Sequence, residues 1–187
     1  MDEKNKIPGV SFIKRNIGTI IGLILLVIIV SISTPKFLTS SNILNLLKSN
    51  SVNAIISCGM LLAILMGEID ISVGSTVGLS GIIGAYMITN VGLPVVPTVL
   101  ICLGVGALVG IVNGVAISYL KVPAFVATLA TQSIGRGLTE IISGGVTIRV
   151  RNTGYTALGN QNVAGISIII IYAAAAVSYT HLTLPTT

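Results

Sequence analysis

The sequence predicts an all-α, polytopic transmembrane helical bundle, and three observations carry that expectation. Hydrophobic residues fill 53% of the 187 positions and charged residues only 8%, against roughly 25% charged in an ordinary soluble domain. Mean hydropathy is +1.01. The apolar residues fall into runs of helical length, separated by short connections rich in Pro, Gly or polar residues. About six membrane segments can be counted on these signals.

Residues 1–16 form a polar tail with Lys4, Lys6, Lys14 and Arg15. Residues 17–32 follow as an unbroken apolar run ended by Pro35. A secretory leader has the same order of parts, but a shorter core and a small-residue cleavage site. The run therefore reads as a first span, with the basic tail holding the N-terminus in the cytoplasm. Residues 39–51 are polar and amphipathic, with Ile43, Leu44, Leu46 and Leu47 on one side, and are expected as an interfacial helix. Residues 52–66 are apolar but short. Residues 73–91 form a span closed by Gly92, Leu93 and Pro94.

Residues 95–120 form the longest apolar run and carry Gly106, Gly110 and Gly114 at spacings of four. Glycines in that register open one helix face to a close neighbour, so a packing role is expected. Residues 124–143 make a more polar helix bearing Thr128, Thr131, Gln132, Ser133, Arg136 and Glu140. Such a helix must turn toward a bundle interior, a cavity or an interface, and Arg136 and Glu140 are spaced to pair. Residues 144–162 read as a loop with Arg149 and Arg151, and a further helix is expected from Val163 to Val177. Alternation puts residues 34–51 outside, Glu68–Asp70 and Lys121 inside, and the Pro94 turn and the 144–162 loop outside; every side after residue 66 flips if residues 52–66 are re-entrant and do not span. After Val177 the apolar pattern stops. The Thr-rich residues 178–187 look like translated adapter sequence, so His181 is given no chemical role.

Only five acidic residues occur, and Glu68 and Asp70 lie almost side by side in apolar surroundings. A carboxylate at a helix centre costs about 2.5–3.5 kcal/mol on insertion scales, so this pair needs partners, water or a membrane boundary. Asp and Ser favour helix N-termini, where the dipole also welcomes negative charge. Asp70 is therefore expected to anchor a helix starting near Ser72; lining a pathway or transmitting motion is the alternative.

Several chemistries have no residues to perform them. No phosphate loop or dinucleotide fingerprint is present, and no His or Cys cluster has metal-ligand spacing. Cys58 and Cys102 read as small buried residues. No Lys/Arg run suggests nucleic acid. No catalytic residue, metal or cofactor is expected on this chain.

The segment from Gly67 through Glu68, Ile69, Asp70, Ile71, Ser72 and Val73 to Gly74 resembles the signature of permease subunits in ribose-type ABC sugar importers, which have a glycine where this chain has Glu68. Three further stretches are similar in the same order: residues 34–38 with Asn42, Ile43 and Leu44; Asn113 and Gly114 leading to residues 119–129; and Arg136 and Gly137 followed by Gly144 and Gly145. The resemblance covers residues 17–177. It implies a permease of about ten helices in a bacterial inner membrane, of which this chain is the N-terminal part. It also implies a second permease subunit, a separate ATPase that binds ATP, and an extracytoplasmic sugar-binding protein. The ATPase-contacting loop is expected beyond this part of such proteins. Gly67, Asp70, Ser72 and Gly74 are then the signature positions. Thr128, Thr131, Gln132 and Ser133 are candidate pathway groups, with interhelical hydrogen bonding as the alternative. Arg149 and Arg151 either meet the binding protein or are solvated loop charges. The cargo is expected to be a monosaccharide such as ribose. An amino acid or nucleoside is the alternative, and an ion-coupled carrier using Glu68 and Asp70 is a more distant one.

Overall fold

A computed structural model describes residues 15–183; Lys4, Lys6, Lys14 and the last four residues of the Thr-rich tail lie outside the described residues. The chain divides into two compact units, Met1–Leu47 and Lys48–Thr187.

In the first unit, α1 (Ile17–Ser33) has no buried residue, and Leu23 and Ile29 are each 62% exposed. A helix that apolar and that exposed needs a lipid or protein surround. It ends where Thr34 donates its N–H to the Val30 carbonyl and Pro35 follows. The turn after it is built by side chains. The Thr39 hydroxyl donates to the Lys36 carbonyl and accepts from the Asn42 N–H, while the Asn42 amide donates to the Phe37 carbonyl. Thr39 thereby caps the start of α2 (Ser40–Leu65).

The expected interfacial helix over 39–51 and the short run over 52–66 are in fact this one helix of 26 residues. Neither proline nor glycine occurs between Ser40 and Cys58, so nothing breaks it. At 1.5 Å per residue it is about 39 Å long, enough to cross a bilayer core of about 30 Å with tilt.

In the second unit, α3 (Val73–Tyr86) passes into a π-helical turn (Met87–Val91) that closes at Gly92, φ 76°. Helix α4 (Val95–Ser118) follows, then α5 (Ala124–Ser143). Both α2 and α4 are long and apolar enough to cross a membrane. Helix α3 packs against both α4 and α5. The buried apolar residues here are few and mostly small: Leu79 and Ala85 on α3, Ile88 in the π turn, Ala124 and Ala127 on α5. Close approach depends on glycines the sequence reading did not select. A Cβ at Gly135 would stand 3.2 Å from the Ser75 Cβ, and one at Gly84 would collide with the Tyr155 hydroxyl and the Cys102 sulfur.

The predicted 144–162 loop is more ordered than expected. It contains α6 (Thr153–Asn160), whose first turn is capped by the Asn152 side chain accepting from the Tyr155 N–H. A small hairpin of β1 (Asn162–Val163) and β2 (Ile166–Ser167) follows, two residues per strand within an all-α fold. Its two-residue turn, Ala164 and Gly165, has φ 51° and 83°, the primed geometry that matches strand twist. The helix expected from Val163 therefore starts later, as α7 (Ile168–Thr183). It runs past Val177 without a break, because nothing in residues 178–183 is a helix breaker.

Candidate functional site

The break between α2 and α3 is built from its backbone upward. Gly67 adopts φ 79°. Its N–H donates to the Ile64 carbonyl, and the Glu68 N–H donates to the Ala63 carbonyl. This is the paired closure that a left-handed glycine makes at a helix C-terminus. The glycine at 67 is thus a geometric requirement, and the Glu68 backbone is one of the two donors that end α2.

Asp70 then opens α3. One oxygen of its carboxylate, Oδ1, accepts both the Ser72 N–H at 2.8 Å and the Ser72 hydroxyl at 2.6 Å. Ser72 occupies the N-cap and is 1% exposed. Its own carbonyl accepts from the Thr76 N–H and from the hydroxyls of Ser75 and Thr76. Hydrogen bonds to a charged acceptor contribute about 1.5–3 kcal/mol each, and the carboxylate sits at the positive end of the α3 dipole.

Two neighbouring helices reach into the break. On α4, the buried Asn113 donates its amide to the Ser72 hydroxyl oxygen at 3.0 Å and accepts from the Thr131 hydroxyl of α5 at 2.9 Å. Thr128 of α5, also fully buried, donates to its own helix at Ala124 and lies 3.4 Å from the Ile69 carbonyl of the break. A cavity of 340 Å³ opens beside this array, bordered by Glu68, Asp70, Asn113, Gly114 and Thr128 among others. Non-helical backbone at membrane depth is tolerated where it is buried in protein or lines such a cavity.

The family described as "Branched-chain amino acid transport system / permease component" matches residues 42–187. The chain belongs to this permease family. It is 40% identical over 157 residues to the ribose import permease protein of Haemophilus influenzae, covering 80% of this chain and 47% of that relative. The ribose import permease protein of Bacillus subtilis is also 40% identical, over 83% of this chain and 49% of its own length. The xylose transport system permease protein of Escherichia coli is 34% identical, over 67% of this chain and 32% of its own length. The chain thus spans about half the length, or less, of these curated relatives. No solved structure matches it. Members of this family are multi-span helical membrane proteins.

Of the residues selected from the permease sequence, Gly67, Asp70, Ser72, Thr128 and Thr131 come together at the break. Gly74 has no atom within 4 Å of where a Cβ would stand. Gln132 is half-buried on α5, and Ser133 is exposed and bonded only to its own helix at Leu129. Gly106, Gly110 and Gly114 do not make the expected close approach among the described residues, since a Cβ on any of them would meet nothing within 4 Å. Their face lies open because α3 and α5 contact α4 elsewhere on its surface. Arg136 and Glu140 form no ion pair among the described residues, and both are exposed. Cys58 and Cys102 are half-buried free thiols rather than fully buried ones, and the Cys102 thiol donates to the Ser80 carbonyl. Arg149 and Arg151 border one small pocket with Asn152 and Thr89.

Asn113 holds the array together, yet the sequence marks it only as part of a resembling stretch. The available signal was an uncharged but strongly polar amide midway through an otherwise apolar helix. Such a group must find a partner when buried. Tyr155 was missed; its phenol inserts beside Gly84 and Cys102. Burial pushes that phenol up from its ordinary value, and the adjoining Cys102 thiol adds to the shift.

Proposed function

We propose that this chain is part of the membrane-spanning permease subunit of an ATP-driven importer that forms the translocation pathway for a monosaccharide such as ribose or a close relative. The observation that carries the reading is the identity to ribose and xylose permeases at 34–40% over 67–83% of this chain. The array at the break supports a neutral, hydroxyl-bearing cargo over an ionic one. Its bonded side chains are mostly hydroxyls and an amide, and of the two carboxylates beside the cavity, Glu68 and Asp70, the Asp70 Oδ1 is already occupied by two donors from Ser72.

In this reading the subunit lies in a bacterial inner membrane with its N-terminus in the cytoplasm. It acts with a separate ATPase pair that binds ATP, with a second permease subunit, and with an extracytoplasmic sugar-binding protein. It is not itself an enzyme and holds no cofactor. The 144–167 connection with α6, Arg149 and Arg151 faces outward, and the break and the Lys121 turn face inward.

The test is uptake by the full-length permease, reconstituted with its ATPase and binding protein in vesicles. ATP-dependent accumulation of labelled ribose or xylose, unaffected by an uncoupler, is the expected result. Accumulation of leucine instead would move the cargo to the amino-acid class. Sugar uptake without the ATPase, abolished by an uncoupler, would replace the importer with an ion-coupled carrier.

A further inference from the structure

The hydrogen bonds at the break have a direction. The Thr131 hydroxyl has its shortest contact, 2.9 Å, with the Asn113 carbonyl oxygen. The Asn113 amide nitrogen donates to the Ser72 oxygen at 3.0 Å. The Ser72 hydroxyl proton goes to Asp70 at 2.6 Å. Each link therefore donates toward the carboxylate, from α5 through α4 to the start of α3. Aligned donors polarise one another and strengthen the series. An amide suits the middle position because it offers an acceptor on one side and a donor on the other. Serine and threonine are too short to span the same gap, and leucine has no polar atom to offer.

Asn113 is also the one side chain here that joins groups from two other elements, Ser72 and Thr131, and it is 5% exposed. Its neighbour in sequence, Gly114, is exposed. The burial therefore belongs to the amide and not to the whole turn of α4.

We infer that Asn113 is a positioning residue for transport. Its amide fixes the orientation of Ser72, and through Ser72 that of the Asp70 carboxylate, so the break follows α4 and α5 as one body when the permease changes state. The inference rests on the transport function proposed above. It adds that complete donor–acceptor pairing, and not merely the filled volume, carries the coupling.

The test uses the full-length permease with its ATPase and binding protein, and compares single variants with an exchange of the two side chains. Asn113→Leu keeps the volume and removes both links. Asn113→Asp removes the donor and sets two carboxylates against one serine hydroxyl. Asn113→Asp should lower the maximal uptake rate about tenfold, the equivalent of one hydrogen bond, and Asn113→Leu, which loses two, should lower it further, with the KM for sugar unchanged in both. Thr131→Val removes only the outermost donor and should lower it about threefold. The double variant Asp70→Asn with Asn113→Asp reverses the two links through Ser72 while Thr131 still donates to position 113, so every donor again has an acceptor, and it should recover most of the rate lost in either single variant.

The same variants, melted in detergent without substrate, should show non-additive shifts between positions 70 and 113. That readout separates the two ideas. Coupled melting shifts without sugar uptake would sustain the hydrogen-bond series while refuting the sugar assignment. Additive shifts, a double variant no better than the worse single one, or wild-type uptake by Asn113→Leu would each overturn the positioning role.

Discussion

Two parts of α4 sit next to each other and behave in opposite ways. Asn113 is buried and bonded to both neighbouring helices, while Gly114, with Gly110 and Gly106 behind it, borders open space among the described residues. In the sequence the three glycines are the louder signal, being in strict register. The difference lies in what each residue demands. A buried amide left without partners loses about 1–3 kcal/mol per unsatisfied group, so the fold must bring Ser72 and Thr131 to it. A glycine demands nothing. It removes an obstacle, and whether a neighbour comes is decided by that neighbour.

Breaking the tight side of this comparison should have the largest effect. Gly135→Val adds a branched side chain where a Cβ alone already stands 3.2 Å from Ser75. Overpacking of this kind costs about 1–3 kcal/mol or more, and should appear as a sharp fall in melting temperature and membrane yield. Asp70→Ala removes the acceptor that holds Ser72, at about 1.5–3 kcal/mol. Asp70→Asn keeps an acceptor of the same shape and should cost less, yet more than Glu68→Gln, whose side chain takes no part in closing α2. Equal melting temperature and uptake for Asp70→Asn and Glu68→Gln would show that the carboxylate at 70 has no special standing.

Gly67→Ala forces a left-handed backbone onto a residue with a Cβ, at about 1–2 kcal/mol. The melting shift should be smaller than for Asp70→Ala. The open side provides the smallest expected effect. Gly110→Ala should change stability by less than about 0.5 kcal/mol, with Gly106→Ala and Gly114→Ala alike. A clear loss of uptake from any of the three would sharpen the comparison differently: it would put another helix of the assembled transporter against that face.

Much of the helical layout was legible because its punctuation is local. Pro35, Gly67, the Gly92–Pro94 turn, Pro123 and Gly144 each end or start an element where the chain must change direction. The mistaken boundaries arose where polarity and not geometry was read. Residues 39–51 looked like a separate helix because they are polar, but Ser, Asn and Lys are tolerated inside a helix and no breaker divides them from residues 52–66. The hairpin at 162–167 depends on an Ala164 φ of 51°, which no residue type announces; glycine at 165 alone is a weak sign. At the break, the cluster and its position at a helix start could be read from Asp70 and Ser72. The partners across α4 and α5 lie 41 and 59 residues away in sequence for Ser72 and Ile69, and separation of that kind leaves no local trace.

The closure of α2 at Gly67 has a consequence for water. It ends one backbone ladder at Glu68, and the next begins only when Thr76 bonds back to Ser72. Between them the amides of Ile69, Asp70 and Ile71 have no protein acceptor among the described residues, and Ile69 and Asp70 border the 340 Å³ cavity. Amides without a protein acceptor exchange their hydrogen with solvent, whereas helical amides in an apolar surround are nearly silent. In deuterated buffer the intact permease should therefore label first at these three positions within its α2–α5 region, marking on an isotopic clock where solvent reaches the transport machinery.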